Sequence, residues 1–237
     1  MSVLLLILLG VTISVGAVES ATDAIVRDYL TYQRILDALL RHLQLVVAGT
    51  ALAVGVGVGV GVLLSRPALR RWAGPVVAVA NVGQSVPSLA VLALFMGLLG
   101  LGWKTAIFAL WVYSLLPVLH NTYTGLTGVD SRVLDAARGM GMRPVRILQR
   151  VELPLAAPVI MAGVRTAVVV NVGTAPLATF VAAGGLGDLI VTGISLNRMS
   201  VLMVGATLTA ILALVLDRAA GWVEQRLTPW RKPVVST

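Results

Sequence analysis

DAARGMGMRPVRILQRVELP, residues 135–154, lies between two strongly apolar segments of the chain. A segment so rich in charge cannot lie in hydrocarbon, so it must form a loop on one side of a membrane. Its arginines, together with Arg132 just upstream, favour the cytoplasmic side, because cytoplasmic loops carry an excess of Lys and Arg. We therefore predict a cytoplasmic loop over residues 121–155.

The residues within this loop predict two short helices joined by a turn. The run Asp135–Ala137 is typical of the start of a helix with small residues on one face. Gly141 supplies a turn that tolerates a positive φ angle, and Pro144 suits the first turn of a second helix. We expect Leu153 and Pro154 to end that second helix before the membrane resumes.

Composition places the whole chain in a membrane. Of its 237 residues, 58% are hydrophobic and 12% are charged, whereas soluble domains carry roughly 25% charged residues. The net charge of +8 does not indicate nucleic-acid binding, because the basic residues cluster at predicted membrane borders. Cysteine is absent, which excludes disulfides and thiolate metal sites. We predict an all-α integral membrane protein.

Apolar runs predict about six transmembrane helices. These are residues 3–18, 43–64, 74–99, 104–119, 156–182 and 199–216. The first run is either a retained helix or a cleaved signal peptide, and the absence of Lys or Arg before it favours a retained helix. Residues 19–42 have the pattern of an amphipathic helix on the outer surface.

Charge distribution predicts the orientation of these helices. Three Arg-rich segments, residues 65–72, 121–155 and the tail, fall on one side if the chain starts inside and crosses six times. The opposite segment, 19–42, has three arginines against four acidic residues. Both termini are therefore predicted to be cytoplasmic. The predicted organisation is an N-terminal helix with an external segment (1–42), a transmembrane domain (43–222) and a cytoplasmic tail (223–237).

The second predicted span contains the run VGVGVGVGV, residues 54–62. A lone strand cannot satisfy its backbone in lipid, so this run is interpreted as a helix. Gly55 and Gly59 then share one face, and Gly57 and Gly61 share nearly the opposite face. Two ridges of small residues predict close helix contact on both sides.

Two polar, proline-containing islands interrupt the predicted spans. Their residues either line a transport path or tie helices together. They are Asn81, Gln84, Ser85, Pro87 and Ser88 in the third span, and Asn171, Thr174 and Pro176 in the fifth. Arg165 also lies within the fifth span, where it is a functional candidate, a snorkelling residue or half of an ion pair. We predict no catalytic residue and no metal site.

The loop resembles the "EAA" signature of the membrane subunits of ABC importers. That signature reads E-A-A, three residues, G, nine residues, then I-x-L-P. Here both spacings are kept, with Asp for Glu and Val for Ile, by Asp135, Ala136, Ala137, Gly141, Val151, Leu153 and Pro154. The stretches QSVPSLAVLALF from Gln84 and AAGGLGDLI from Ala182 are similar to osmoprotectant permeases for glycine betaine, carnitine and choline.

This resemblance implies a type I ABC importer permease with the MetI-like fold, in a bacterial inner or plasma membrane. It implies that the loop docks into a cytoplasmic ABC ATPase dimer, which carries ATP and Mg, while this chain binds no cofactor. The other implied partners are a second permease copy or paralogue, an external substrate-binding protein and membrane lipid, with no nucleic acid. Two alternatives remain open. One is a permease for methionine or another amino acid, and the other is a secondary transporter, which would leave the spaced loop unexplained.

Overall fold

A computed structural model describes residues 24–228, and every regular element in that range is helical. The α-helices are α1 Ala24–Tyr29, α2 Tyr32–Ser65, α3 Ala73–Ser85, α4 Ser88–Leu99, α5 Trp103–Thr127, α6 Ser131–Gly139, α7 Pro144–Ile147, α8 Leu153–Thr174, α9 Leu186–Ser195 and α10 Met199–Leu227. Two 3-10 segments, Arg70–Trp72 and Ala175–Val181, and a π turn, Leu148–Glu152, connect some of them.

Four helical segments are long and apolar enough to cross a membrane: α2, α5, the run Pro144–Val181 and α10. The pair α3–α4, taken with the 3-10 turn before it, would be a fifth if it forms one broken span. The all-α membrane prediction is confirmed. The first predicted span, residues 3–18, and the last part of the tail lie outside the described residues.

Helix α2 is longer than the span predicted for it. The chain is helical without a break from Tyr32 to Ser65, so the predicted amphipathic helix and the second span form one helix from Tyr32 onward. Its 34 residues reach about 51 Å, well beyond a hydrocarbon core of about 30 Å. The separation predicted near residue 42 is wrong because no Gly or Pro interrupts residues 32–42.

The third predicted span, 74–99, is broken rather than merely kinked. Helices α3 and α4 meet at an angle of 100°. Pro87 has no amide N–H and disfavours a helical conformation at the residue before it, and Val86 accordingly has φ −74° and ψ 134°. Each half is therefore shorter than a bilayer span.

Helices extend into the predicted loop 121–155 from both ends, and its cytoplasmic extent stays a prediction. Helix α5 continues to Thr127, so the first residue after it is Gly128. At the other end Pro154 does not stop a helix, because α7, the π turn and α8 form one continuous helical run. The π turn directly before Pro154 widens the helix, which accommodates a residue without an N–H.

The glycine run of α2 packs on one of its two faces. A methyl group at Gly57 would lie 2.9 Å from Val118, and one at Gly61 would lie 2.7 Å from Thr122, both on α5. A methyl group at Gly55 or Gly59 would meet no described atom within 4 Å. One predicted ridge is thus confirmed as a close helix contact within the described chain, and the other stays a prediction.

Candidate coupling segment and translocation groove

Helix α6 begins four residues before the predicted start at Asp135. The side chain of Asp130 accepts a hydrogen bond from the N–H of Arg132 at 2.9 Å and so caps the helix. Asp is among the favoured N-cap residues because its carboxylate satisfies an amide that the helix itself leaves unbonded. Helix α6 therefore starts at Ser131, and Asp135 lies in its interior.

Gly141 ends α6 with the predicted left-handed turn. Its φ angle is +74°, its N–H donates to the Arg138 carbonyl at 2.9 Å, and the N–H of Met142 donates to the Ala137 carbonyl at 3.2 Å. These two bonds define a Schellman motif, which places a glycine in the left-handed region just after the helix. Pro144 then occupies the first turn of α7, as predicted.

The signature residues divide between an inner and an outer side. Ala137 is buried, and Leu153 packs against an apolar cluster that contains Leu126 and Ile160. Asp135 is exposed and pairs with Arg138 at 2.6 Å, whereas Val151 and Pro154 are half-buried. Ala136 and Gly141 are exposed. The spacing therefore accompanies two short helices, joined by the turn at Gly141, ahead of α8.

Apolar side chains remain exposed around this turn. Met140 is 74% exposed and Val145 is 66% exposed, next to the arginines at 138, 143 and 146. An apolar centre bordered by arginines is a surface that suits another protein better than lipid, because the charges cannot enter hydrocarbon. We call residues 131–147 the coupling segment.

The break between α3 and α4 is held by a reciprocal pair of bonds with α5. Pro117 cannot donate to the carbonyl of Tyr113, four residues earlier, and Gln84 Nε2 donates to that carbonyl at 2.6 Å instead. The Tyr113 hydroxyl in turn donates to the Val86 carbonyl. The predictions from the sequence do not include Tyr113. The signal that could have found it is Pro117, four residues later, which leaves the Tyr113 carbonyl without its helical donor.

An open groove of about 350 Å³ lies between α3, α5 and α8. It brings the predicted path residues Asn81 and Gln84 together with His120 and Thr166. A second groove of the same volume adjoins it through Asn81 and His120 and reaches Tyr123. We call the two together the polar groove. Ser85 is directed elsewhere and donates to the Asn81 carbonyl at 3.0 Å.

The remaining predicted path residues do not face this groove. Ser88 and Thr174 border a cavity of about 10 Å³. Asn171 is fully buried and bonds the hydroxyls of Thr50 and Ser114 at 2.9 and 3.1 Å. Asn171 thus ties α2, α5 and α8 together. Pro176 is the second residue of the 3-10 segment, and its carbonyl packs tightly against Gly187.

Arg165 forms an ion pair with Asp217. Its Nη2 lies 2.6 Å from Asp217 Oδ2, and its Nε donates to the other carboxylate oxygen. Asp217 lies inside α10, which continues to Leu227 rather than ending at the predicted residue 216. The pair therefore links α8 and α10 within two candidate spans.

The arrangement of long apolar helices, a projecting helix pair and a lateral polar groove defines a membrane transport subunit. Residues 53–229 match the family described as "binding-protein-dependent transport system inner membrane component". The chain belongs to this family.

Two of its curated relatives are osmoprotectant permeases by name. It is 48% identical over 189 residues to the osmoprotectant import permease protein OsmY of Salmonella typhimurium, covering 80% of each chain. It is 44% identical over 199 residues to the glycine betaine/carnitine/choline transport system permease protein OpuCD of Bacillus subtilis, covering 84% of this chain and 86% of the relative.

The fold also matches a solved structure, an inward-facing conformation of the MetNI methionine ABC transporter. The TM-score is 0.72 at 22% identity, over 82% of this chain and 96% of that one. At this identity the likeness shows the fold alone, which is the MetI-like permease fold of ABC importers.

Proposed function

We propose that this chain is the transmembrane permease subunit of an ATP-driven importer for quaternary-amine osmoprotectants such as glycine betaine, carnitine and choline. The observation that carries this proposal is the coupling segment. A capped helix pair with exposed Met140 and Val145 projects from the end of α8 at the family's signature position. The substrate class follows the relatives, which are named for these solutes.

The coupling segment docks on a cytoplasmic ATPase dimer that holds ATP and Mg. Helix α7 runs through the π turn into α8 as part of a 38-residue helical run, Pro144–Val181. A displacement at the ATPase surface is therefore delivered along a helix to the bundle. Such a device works only if the segment makes different contacts in two states. Both termini and this segment lie in the cytoplasm in the proposed arrangement.

The polar groove supplies one wall of the path, and a second permease copy or paralogue closes it. Asn81, Gln84, His120 and Thr166 present amide, imidazole and hydroxyl groups to a passing solute. A quaternary ammonium group cannot donate a hydrogen bond and is held best by several aromatic rings. Among Phe, Tyr and Trp, the lining of the groove contains Tyr123 alone, so tight recognition belongs to an external substrate-binding protein.

Uptake of labelled glycine betaine by cells at high osmolarity, with and without this chain, tests the proposal. We expect uptake that requires the chain, stops on ATP depletion and survives a gradient-collapsing ionophore. Uptake abolished by the ionophore at normal ATP would establish a secondary transporter instead. If methionine competes with the uptake and choline and carnitine do not, the chain is an amino-acid permease instead.

A further inference from the structure

We propose that an ion pair between Arg66 and Glu152 couples the coupling segment to α2, so that ATP-driven movement reaches two spans. Glu152 lies in the π turn between α7 and α8, and Arg66 directly follows α2. The inference deepens the proposed function and rests on it, because it assigns to these two residues the task of positioning the segment.

Local sequence fixes the position of Arg66. The following residue, Pro67, favours an extended conformation before it, and Arg66 has φ −77° and ψ 142°. Ser65 Oγ accepts hydrogen bonds from Arg66 Nε at 3.1 Å and from Nη2 at 2.9 Å. The same hydroxyl donates to the Val62 carbonyl at 2.7 Å. These bonds hold the Arg66 guanidinium against the end of α2, in the position where it pairs with Glu152.

Glu152 is the buried member of the pair. The residue is 7% exposed, and both carboxylate oxygens accept from Arg66, with 3.3 Å between Nη1 and Oε1 and a shorter contact between Nη2 and Oε2. A buried carboxylate requires such a partner, because removal from water is costly unless the charge is paired. Two parallel bonds from a planar guanidinium also fix the direction of the contact.

The ion pair lies where α2, α6, the π turn and α8 meet. Val58 and Val62 of α2 pack with Leu148 of the π turn and Leu153 of α8 in one apolar cluster. Helix α6 also contacts the π turn. The π turn thus receives the coupling segment on one side and α2 on the other. Sharp kinks in helices occur at π turns, and the ion pair keeps α2 attached to this π turn when the segment moves.

The local bonds of the coupling segment do not depend on this pair. The Asp130 cap and the Gly141 turn are formed within residues 130–142. Loss of the pair should therefore leave the segment folded and able to bind its ATPase, while its movement is transmitted less completely to α2. Uptake should fall more than ATP hydrolysis does.

The test uses the full importer complex reconstituted in liposomes, with uptake and ATP hydrolysis measured on the same preparation. The main variant is Glu152→Gln, which leaves no buried charge, since Arg66 is 32% exposed at its side chain and can be hydrated. We expect about a tenfold loss of solute transported per ATP hydrolysed, which lies within the usual range of coupling between two sites of a protein. The charge exchange Arg66→Glu with Glu152→Arg should recover part of the lost ratio. Arg70→Ala, which removes an exposed charge from the same loop, should keep the ratio of the unmodified complex.

An unchanged ratio of uptake to hydrolysis in Glu152→Gln would overturn the inference. A loss of uptake that is explained entirely by a smaller amount of assembled complex would also overturn it, because the ion pair would then have a structural role alone. Absence of ATP-driven uptake in the unmodified complex would instead overturn the proposed function, so the two failures are distinct.

Discussion

A single added methyl group should distinguish the two faces of the glycine run in α2. We compare Gly61→Ala, on the face packed against α5, with Gly59→Ala, on the opposite face. The two substitutions are chemically identical and two residues apart, so helix propensity and insertion into the membrane are closely matched. Any difference in stability therefore reports packing.

The structure sets the size of the effect. A methyl group at Gly61 would lie 2.7 Å from the Thr122 side chain and 3.2 Å from the Leu119 carbonyl oxygen. Carbon atoms pack at about 3.5–4.0 Å, and a backbone carbonyl cannot rotate away, so α2 and α5 must separate. Overpacking of this kind costs about 1–3 kcal/mol. At Gly59 the methyl group meets no described atom within 4 Å, and Ala is a better helix former by up to about 1 kcal/mol.

The assay is unfolding of the purified chain in mixed micelles with increasing SDS, followed by circular dichroism. We expect a lower midpoint for Gly61→Ala than for the unmodified chain, and an unchanged or higher midpoint for Gly59→Ala. An unchanged midpoint for Gly61→Ala would refute the α2–α5 contact. Equal losses in both variants would show that the second face is packed as well.

Three further substitutions test other parts of the account. Gly141→Ala forces a methyl group into a left-handed turn at φ +74°, which costs about 1–2 kcal/mol. Uptake should therefore fall while membrane insertion is kept. The control Gly139→Ala, inside α6, should have no such effect. Arg165→Leu leaves Asp217 without its partner and should lower the yield of folded protein in detergent, whereas replacing both by Leu should restore much of it. Gln84→Leu leaves a helix carbonyl without a donor and should lower the thermal midpoint by an amount equivalent to about 1–3 kcal/mol.

Each of these has an opposing result. Normal ATP-driven uptake in Gly141→Ala would mean that the turn geometry is not needed for coupling. A double variant at 165 and 217 no better folded than Arg165→Leu would show that the ion pair is not the reason for the loss. An unchanged midpoint for Gln84→Leu would show that water or another group satisfies the Tyr113 carbonyl.

Local sequence patterns predict much of this structure. Hydrophobic runs locate the spans because burial in lipid acts on each segment by itself. Gly141 was predicted correctly because a left-handed turn has few suitable residues. The ends of α2 and α5 were misjudged because polar residues such as Asp37 or Asn121 mark a change of solvent, and a helix can continue through that change.

Contacts between distant segments were harder to predict. Nothing near Asn171 in the sequence points to Thr50 and Ser114. The sequence therefore leaves two roles open for Asn171, a buried link between helices and a residue of the transport path. The partners of Arg165 and Glu152, Asp217 and Arg66, are likewise distant in the chain. Ion pairs of this kind depend on tertiary packing, which a periodic pattern does not contain.

Proteoliposomes containing this chain, its ATPase and its binding protein give the most direct test of the central claim. Labelled glycine betaine should accumulate when ATP is supplied on the ATPase side and the binding protein on the other, and should not accumulate with a non-hydrolysable ATP analogue. Accumulation driven by an ion gradient without ATP would contradict the account.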